Sequence, residues 1–198
     1  MKIKVSDYNP NWAKSFLQIK SDLQDILSSL NPEIEHFGST SVPGLAAKDV
    51  IDVMVGLESI DDLDKTILPM IQSNYIHYAI FDESTPDRRL FIGLKNKKHR
   101  PLFQSTYLQE EDVPHDLINQ HRLSHVHIWK KGSEDWGRHL AFRDYLKAHP
   151  QEKETYGKLK KELSLRQWKD GMEYNQHKHN YIQKIEKKAI QWYQNQTG

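Results

Sequence analysis

Hydrophobic residues near the start of the chain recur at helical spacing. Within residues 8–30 the large apolar side chains fall three or four positions apart in most cases, and they are Trp12, Phe16, Ile19, Leu23, Ile26, Leu27 and Leu30. This period predicts an amphipathic helix with one face turned toward a core. The preceding residues 3–5, IKV, predict a short strand or edge segment.

Shorter apolar runs further along the chain predict strands. Residues 33–37, EIEHF, alternate between polar and apolar positions, whereas residues 49–57, DVIDVMVGL, are almost continuously apolar. The second pattern is typical of a strand buried on both faces. Three more strands are predicted between polar loops, at residues 75–81, 88–95 and 124–131. The pattern at residues 110–123 is ambiguous.

Helix-start signals mark the remaining segments. Ser59 and Ser133 each precede acidic residues, and an N-cap serine followed by acids in the first turn predicts helices at residues 59–74 and 133–149. Pro150 either ends the second helix or begins the next one. Further helices are predicted at residues 150–168 and 172–194. We therefore expect an α/β protein with one domain over residues 1–198, divided into a sheet-bearing core, 1–132, and a helical C-terminal part, 133–198.

Composition excludes several classes of site. The 198 residues include no cysteine, which rules out disulfides, thiolate zinc sites and cysteine nucleophiles and favours a reducing compartment. The N-terminal residues lack the apolar stretch of a signal peptide, and no run approaches the roughly 18 apolar residues of a membrane span. We expect a cytoplasmic protein. The 28 basic and 27 acidic residues nearly cancel, which argues against binding to an extended nucleic acid.

The stretch HFGSTSVPGL, residues 36–45, carries the first candidate chemistry. A glycine lets backbone N–H groups approach a phosphate closely, and a serine hydroxyl adds a donor. The same residues could instead form a tight turn whose hydroxyls cap a short helix starting near Pro43. The sequence has no P-loop of a Walker-type NTPase and no nucleophile elbow of an α/β-hydrolase.

Several motifs together resemble the GrpB family, whose members look like nucleotidyltransferases. The resemblance covers nearly the whole chain, through YNPNWAKSF, HFGSTSVPGLAAKDVIDVMV, SHVHIWKKGSEDWGRHLAFRDYLKAHP, YGKLKKEL and YNQHKHNYI. It implies a nucleotidyltransferase-like fold, namely a small mixed sheet flanked by helices, here with an α-helical C-terminal third. It also implies a Gly-Ser turn after the first core strand and a pair of acids on the next strand.

The resemblance assigns roles to residues of this chain. It places Gly38, Ser39 and Thr40 at a phosphate-binding turn. Lys48 could contact a phosphate oxygen as a point charge or be solvated, and the arginine of the FRDYL motif, Arg143, could clamp a phosphate or carboxylate. The arginine could equally form an internal ion pair with Asp144 or Glu154. Arg88 and Arg89 are weaker candidates for the same role.

The acid pair implied by the resemblance is broken. Asp52 lies thirteen residues beyond Ser39, where the first acid is expected, but the second position holds Met54. A thioether is a soft ligand and does not hold Mg²⁺, which prefers hard oxygen ligands. Asp49 cannot replace the missing acid, because three residues along a strand reverse the face.

Active members of the nucleotidyltransferase superfamily usually carry a third acid on a later strand, and this chain has histidines where that acid is expected. His125 and His127 share one strand face, and if that strand neighbours Asp52 the three side chains could converge, with His36 nearby. Such ligands suit Zn²⁺, Mn²⁺ or Fe²⁺ better than Mg²⁺. The histidines could instead be hydrogen-bonded residues of a half-buried face, and Asp52 could pair with Lys48 or accept backbone N–H bonds.

Two functions from different classes follow, and a third stays open. The first is a nucleotidyltransferase that takes a nucleoside triphosphate as substrate, with Ser39 and Asp52 as catalytic-site residues and Mg²⁺, Mn²⁺ or Zn²⁺ as cofactor. The second is an inactive module that binds a nucleotide or phosphorylated metabolite. The third is a metal-dependent hydrolase with His125 or His127 as general base.

Overall fold

A six-stranded mixed sheet and its flanking helices make up the fold. The computed structural model describes residues 2–169 and 171–197. The strands are β1 Glu33–Phe37, β2 Ile51–Leu57, β3 Ile76–Tyr78, β4 Arg88–Leu94, β5 Thr106–Tyr107 and β6 Arg122–Lys130. The α-helices are α1 Asn11–Ile26, α2 Ile67–Gln72, α3 His115–His121, α4 Glu134–Ala148, α5 Pro150–Ser164 and α6 Gly171–Thr197. The expected fold class, a mixed sheet with helices and a helical C-terminal region, is confirmed.

Strand β6 lies inside the sheet and changes its direction of pairing. The strand order is β1-β2-β6-β4-β3-β5. β6 pairs in parallel with β2 and antiparallel with β4, and a register shift interrupts the second pairing between Gly93 and Leu94. Strand β3 then pairs antiparallel with β4 and parallel with β5.

Alternation along β6 separates a buried core face from a face that carries two half-buried histidines. Ser124, Val126 and Ile128 are at most 1% exposed, whereas the intervening His125 and His127 are half-buried. Successive side chains of a strand point to opposite faces, so the two histidines lie on the same face of the sheet. The sheet therefore presents imidazoles on one face and a dry apolar layer on the other.

Two compact units can be distinguished, and neither is a continuous piece of chain. One consists of Lys14–His36 and Val50–Trp136 and contains most of the sheet; we call it the sheet unit. In it, one apolar cluster on β3 and β4 packs with Phe103, Tyr107, Val113 and Ile118. The other unit, the helical unit, comprises the segment ending at Ala13, Phe37–Asp49, and the chain from Gly137 onward.

The helical unit encloses its own apolar clusters. Segment 37–49 contributes Val42 and Leu45 to a buried cluster that also contains Ala141, Tyr145, Leu146, Tyr156, Ile185 and Ala189. Ile3, Leu163, Trp168 and Tyr174 form a second one. Thus the turn region of the sequence packs into the same unit as helices α5 and α6.

Most predicted elements occur near their predicted positions. Ser133 accepts a hydrogen bond from the backbone N–H of Trp136, as an N-cap residue does, and Pro150 begins α5. Residues 3–5 form no strand, and isolated bridges lie on either side of them, between Lys2 and Gln167 and between Ser6 and Ala47. The predicted helix 59–74 is divided between two short 3₁₀ turns, Ile60–Asp62 and Asp64–Thr66, and α2, although Ser59 does cap its start. Among the described residues, no helix has the length and apolar character needed to cross a membrane.

A close approach between β4 and β6 gives a stability prediction. A Cβ added to Gly93 would lie 2.3 Å from the Ser124 Oγ and 3.1 Å from a ring carbon of Tyr75. We expect Gly93→Ala to lower the free energy of unfolding by about 1–3 kcal/mol through overpacking. Because Ser124 Cβ would be at an ordinary 3.7 Å, adding Ser124→Ala should restore part of the loss.

The measurement is urea denaturation of both single variants and the double variant. Ser124 Oγ has no hydrogen-bond partner among the residues described, so Ser124→Ala alone should cost little. Strictly additive effects of the two substitutions would contradict the proposed clash, because residues in contact are expected to show coupling.

Candidate functional site

Three potential metal ligands converge on neighbouring strands of the sheet unit. In the parallel pairing of β2 and β6, Asp52 lies opposite His125, and Met54 lies opposite His127. The ligand atoms of Asp52, His125 and His127 all lie within 4.8 Å of one another, and all three residues are half-buried. The predicted convergence of these side chains is therefore present in the structure.

The electrostatic environment keeps Asp52 ionised. Its Oδ1 lies 3.0 Å from the Nδ1 of His125, within hydrogen-bond distance. Burial alone raises the pKa of Asp52, but the His125 hydrogen bond and the charges of His125, His127 and Arg122 act against burial, and the pKa is lowered below its ordinary value. A carboxylate with a lowered pKa is anionic at neutral pH and available to a cation.

Arg122, which the sequence analysis missed, adds a cation to this environment. Burial lowers the pKa of its guanidinium, and the charge of Asp52 partly offsets that effect. The buried Nε atom has no hydrogen-bond partner among the described residues. An arginine always carries its charge in proteins, so this end of β6 favours an anionic group.

The donor set decides which metal the cluster fits. One carboxylate and two imidazoles suit Zn²⁺, Mn²⁺ or Fe²⁺. A pair of Mg²⁺ ions needs hard oxygen ligands that the cluster lacks, because Met54 is fully buried where the second acid is expected. Asp49 is exposed and accepts a hydrogen bond from the indole N–H of Trp12, at 2.7 Å, so it serves a structural contact.

His36 does not belong to this cluster. Within the described part of the chain, the group of three comprises Asp52, His125 and His127 without it. The His36 ring instead stacks on Phe16, with ring centroids 4.6 Å apart. The weak suggestion that His36 is a fourth ligand therefore lacks geometric support.

The Gly-Ser turn lies in the helical unit and has the tight geometry that its sequence predicts. Gly38 has φ +69°, a conformation that favours glycine, and a one-turn 3₁₀ helix follows at Ser39–Ser41. The hydroxyl of Ser41 donates to the Gly38 carbonyl at 2.6 Å. The short helix thus begins at Ser39 and not near Pro43.

Lys160 is the second residue that the sequence analysis missed. It belongs to α5, is only 3% exposed, and its ammonium group donates to the Ser39 Oγ at 2.9 Å. Tyr156, Lys160 and Leu163 are spaced at helical intervals, and all three are buried. That spacing, with a lysine in an apolar stripe, is the signal that could have identified it.

Two other residues predicted for the turn have defined environments. Thr40 is only 2% exposed, so its side chain is withdrawn from solvent. The ammonium group of Lys48 lies over the ring of Tyr174, 4.4 Å from its centroid. Their assignment to a phosphate site stays a prediction.

The candidate arginines take part in ion pairs or ring contacts. Arg143 donates to the Asp144 carboxylate from Nε at 2.8 Å and from Nη2 at 2.9 Å. This is one of the two internal ion pairs left open by the sequence. Arg89 binds Asp64 at 2.7 and 2.8 Å. The Arg88 guanidinium lies 5.6 Å from the ring centroid of Phe81.

Comparison with known proteins gives a consistent result. The model of the family described as GrpB protein matches residues 2–188. The crystal structure of conserved protein GrpB from Enterococcus faecalis has a TM-score of 0.74 and 31% sequence identity, covering 96% of this chain and 99% of that chain.

Two curated bacterial proteins are also similar to this chain in sequence. UPF0157 protein YqkA of Bacillus subtilis (strain 168) is 30% identical over 191 residues, which is 96% of this chain but 48% of that protein, so the chain spans about half of its length. Glutamate-rich protein GrpB of Alkalihalophilus pseudofirmus is 27% identical over 179 residues, covering 90% of each protein.

Proposed function

Because the chain belongs to the GrpB family, we propose that it is a metal-dependent enzyme acting on a nucleotide or another phosphorylated small molecule. The observation that carries this proposal is the convergence of Asp52, His125 and His127 within 4.8 Å. A divalent ion held there would supply Lewis-acid chemistry, by polarising a phosphoryl oxygen or lowering the pKa of a water molecule. Zn²⁺ and Mn²⁺ are the ions that this donor set favours.

Arg122 supports an anionic substrate at this cluster. The charge of its guanidinium acts on Asp52, one of the proposed ligands of the ion. An arginine at such a position binds a phosphate oxygen through charge-assisted hydrogen bonds. We assign it the role of orienting the phosphoryl group, while Asp52 and the two histidines hold the ion.

The Gly38–Ser39 turn is proposed as a phosphate-binding element of the helical unit. The resemblance to the GrpB family, whose members look like nucleotidyltransferases, implies phosphate at this turn, and the positive φ of Gly38 supports that role. Thr40, Lys48 and Arg143 are carried with it as proposed neighbours of the phosphate.

A binding module without turnover is the second candidate, and Met54 favours it. A nucleotidyltransferase transfers a nucleotidyl group when an acceptor hydroxyl attacks the α-phosphorus, the α–β P–O bond breaks and pyrophosphate leaves. The buried Met54 removes the second acid that would share this charge stabilisation.

A thermal-shift panel followed by product analysis tests the proposal. The protein is melted alone and with Zn²⁺, Mn²⁺ or Mg²⁺, each with and without ATP, CTP, GTP or UTP. An ion at about 100 times its Kd adds about 2.7 kcal/mol, which corresponds to roughly 5–10 °C for a chain of this size. We expect Zn²⁺ or Mn²⁺ to raise the Tm more than Mg²⁺ does.

The products separate the candidates. Pyrophosphate released only with an acceptor identifies transfer, whereas release of free nucleotide and phosphate in water identifies hydrolysis. Binding without any product would support the inactive module. If none of the three ions raises the Tm, the proposed metal centre is wrong.

A further inference from the structure

A buried lysine is directed at the Gly-Ser turn inside the helical unit. Lys160 is 3% exposed, and its Nζ donates to Ser39 Oγ at 2.9 Å across 121 positions of sequence. Burying an ammonium group is costly unless hydrogen bonds or charge compensate for it. A lysine fixed in this way against a serine hydroxyl is thus a built feature of the fold rather than a solvated surface charge.

An aromatic ring lies beside the ammonium group of Lys160. Its ammonium group lies 4.4 Å from the ring centroid of Tyr156, one helical turn earlier on α5. The face of an aromatic ring attracts a cation and has no comparable attraction for a neutral amine. This contact therefore favours an ammonium group, which can bind an anion, over a neutral amine, which could remove a proton from Ser39.

A second lysine on the same helix holds the chain just after the turn. Lys153 lies two helical turns before Lys160, and its Nζ donates to the carbonyl of Pro43 at 3.0 Å. Residues seven positions apart on a helix share a face, so α5 directs two ammonium groups at the segment that follows Gly38. One fixes the backbone, and the other reaches the serine hydroxyl.

We infer that Lys160 and Ser39 form an anion site that binds a phosphate group of a nucleoside polyphosphate. The inference rests on the proposed phosphate-binding role of the Gly38–Ser39 turn and names the cation that completes it. The lysine supplies the charge, the serine hydroxyl supplies a neutral hydrogen bond, and the glycine turn permits close approach of the backbone.

Calorimetric titration of the full chain with inorganic triphosphate and with ATP tests this inference. EDTA is present, so that the proposed metal centre does not contribute. Lys160→Met keeps the length of the side chain and removes the charge, while Ser39→Ala removes the hydroxyl and leaves the lysine. We expect Lys160→Met to weaken triphosphate binding at least about tenfold, or 1.4 kcal/mol, and Ser39→Ala to weaken it severalfold.

Lys158→Met is the matched control, because Lys158 lies on the same helix, is exposed, and pairs with Glu154. It should bind triphosphate within about twofold of the unmodified protein. Lys160→Arg retains the charge, and it should keep more affinity than Lys160→Met. If Lys160→Met does not fold, the comparison of Ser39→Ala with Lys158→Met decides the matter.

Three results would overturn the inference. The first is unchanged triphosphate affinity in folded Lys160→Met or Ser39→Ala. The second is labelling of Ser39 by a fluorophosphonate that disappears in Lys160→Met, which would identify a serine nucleophile with a lysine base. The third is no triphosphate binding by the unmodified protein, and a metal-dependent Tm shift in the same protein would then leave the Asp52 centre standing.

Discussion

Asp52→Asn is expected to weaken Zn²⁺ or Mn²⁺ binding at least about 100-fold. Loss of a group that only supports a ligand already costs 10–100-fold in metal affinity, and Asp52 supplies the one carboxylate of the proposed set. The asparagine oxygen can still accept the hydrogen bond from His125, so the fold should persist. The measurement is calorimetric titration of the purified variant with each ion, and circular dichroism verifies folding.

Asp49→Asn is the matched control for this substitution. Asp49 is an exposed carboxylate that accepts a hydrogen bond from Trp12, and its replacement should leave metal affinity unchanged. His125→Ala and His127→Ala should each resemble Asp52→Asn. If Asp52→Asn, His125→Ala and His127→Ala bind the ion as tightly as the control Asp49→Asn does, the assignment of the three ligands is wrong.

The pH dependence of the same titration has a definite sign. Because the pKa of Asp52 is lowered below its ordinary value, its carboxylate is ionised at neutral pH and stays ionised as the solution becomes mildly acidic. Metal-binding imidazoles must be neutral, and an ordinary histidine gains a proton at a pH of about 6.5. Metal affinity should therefore fall as the pH is lowered, because protons compete with the ion for the imidazoles, and Asp52, with its lowered pKa, should contribute little to that loss.

Met54→Asp is expected to lower the free energy of unfolding by about 3–5 kcal/mol in metal-free buffer. Met54 is fully buried on β2, two residues after Asp52 and opposite His127, so a carboxylate there would be desolvated and would face a like charge. Urea denaturation with EDTA measures the change. Met54→Leu conserves volume, and as the control it should cost less than about 1.5 kcal/mol.

Adding Mn²⁺ or Mg²⁺ to Met54→Asp tests what the natural methionine does. Two carboxylates two residues apart on a strand share one face and match the acid pair of active nucleotidyltransferases. We expect the ion to restore part of the lost stability, in proportion to its binding. A Met54→Asp protein as stable as Met54→Leu without metal would show that this position is not desolvated.

Local sequence pattern predicted much of the fold because the relevant interactions are local. The helical spacing of Trp12, Ile19 and Leu23 marks α1, and the apolar run after Val50 marks β2. The strand predicted at residues 3–5 is absent because a strand needs a partner strand, and a short apolar triplet carries no information about one. In residues 59–74 the N-cap was recognised, but only Ile67–Gln72 are α-helical, and two short 3₁₀ turns precede them.

The candidate site could be predicted only in part. Period-two alternation placed His125 and His127 on one face of a strand. Their approach to Asp52 depends on the pairing of two strands that are distant in sequence, since His125 and Asp52 are 73 positions apart. Only the family resemblance indicated that pairing. Arg122 was not identified from the sequence because a register shift between β4 and β6 interrupts the simple alternation of side chains along β6. Lys160 was not identified as a candidate site residue because a lysine in a basic stretch of helix is normally solvated.

Strand β6 is held along both edges, by β2 on one side and β4 on the other. The backbones of His125 and His127 are therefore fixed before any ion arrives, and Asp52 stands on one of the flanking strands. A loop that ordered around an ion would lose about 1–2 kcal/mol of conformational entropy per residue. An ion at this cluster would be captured and released by side-chain rotation alone, so the preorganised strands would favour fast exchange and discrimination among ions by size.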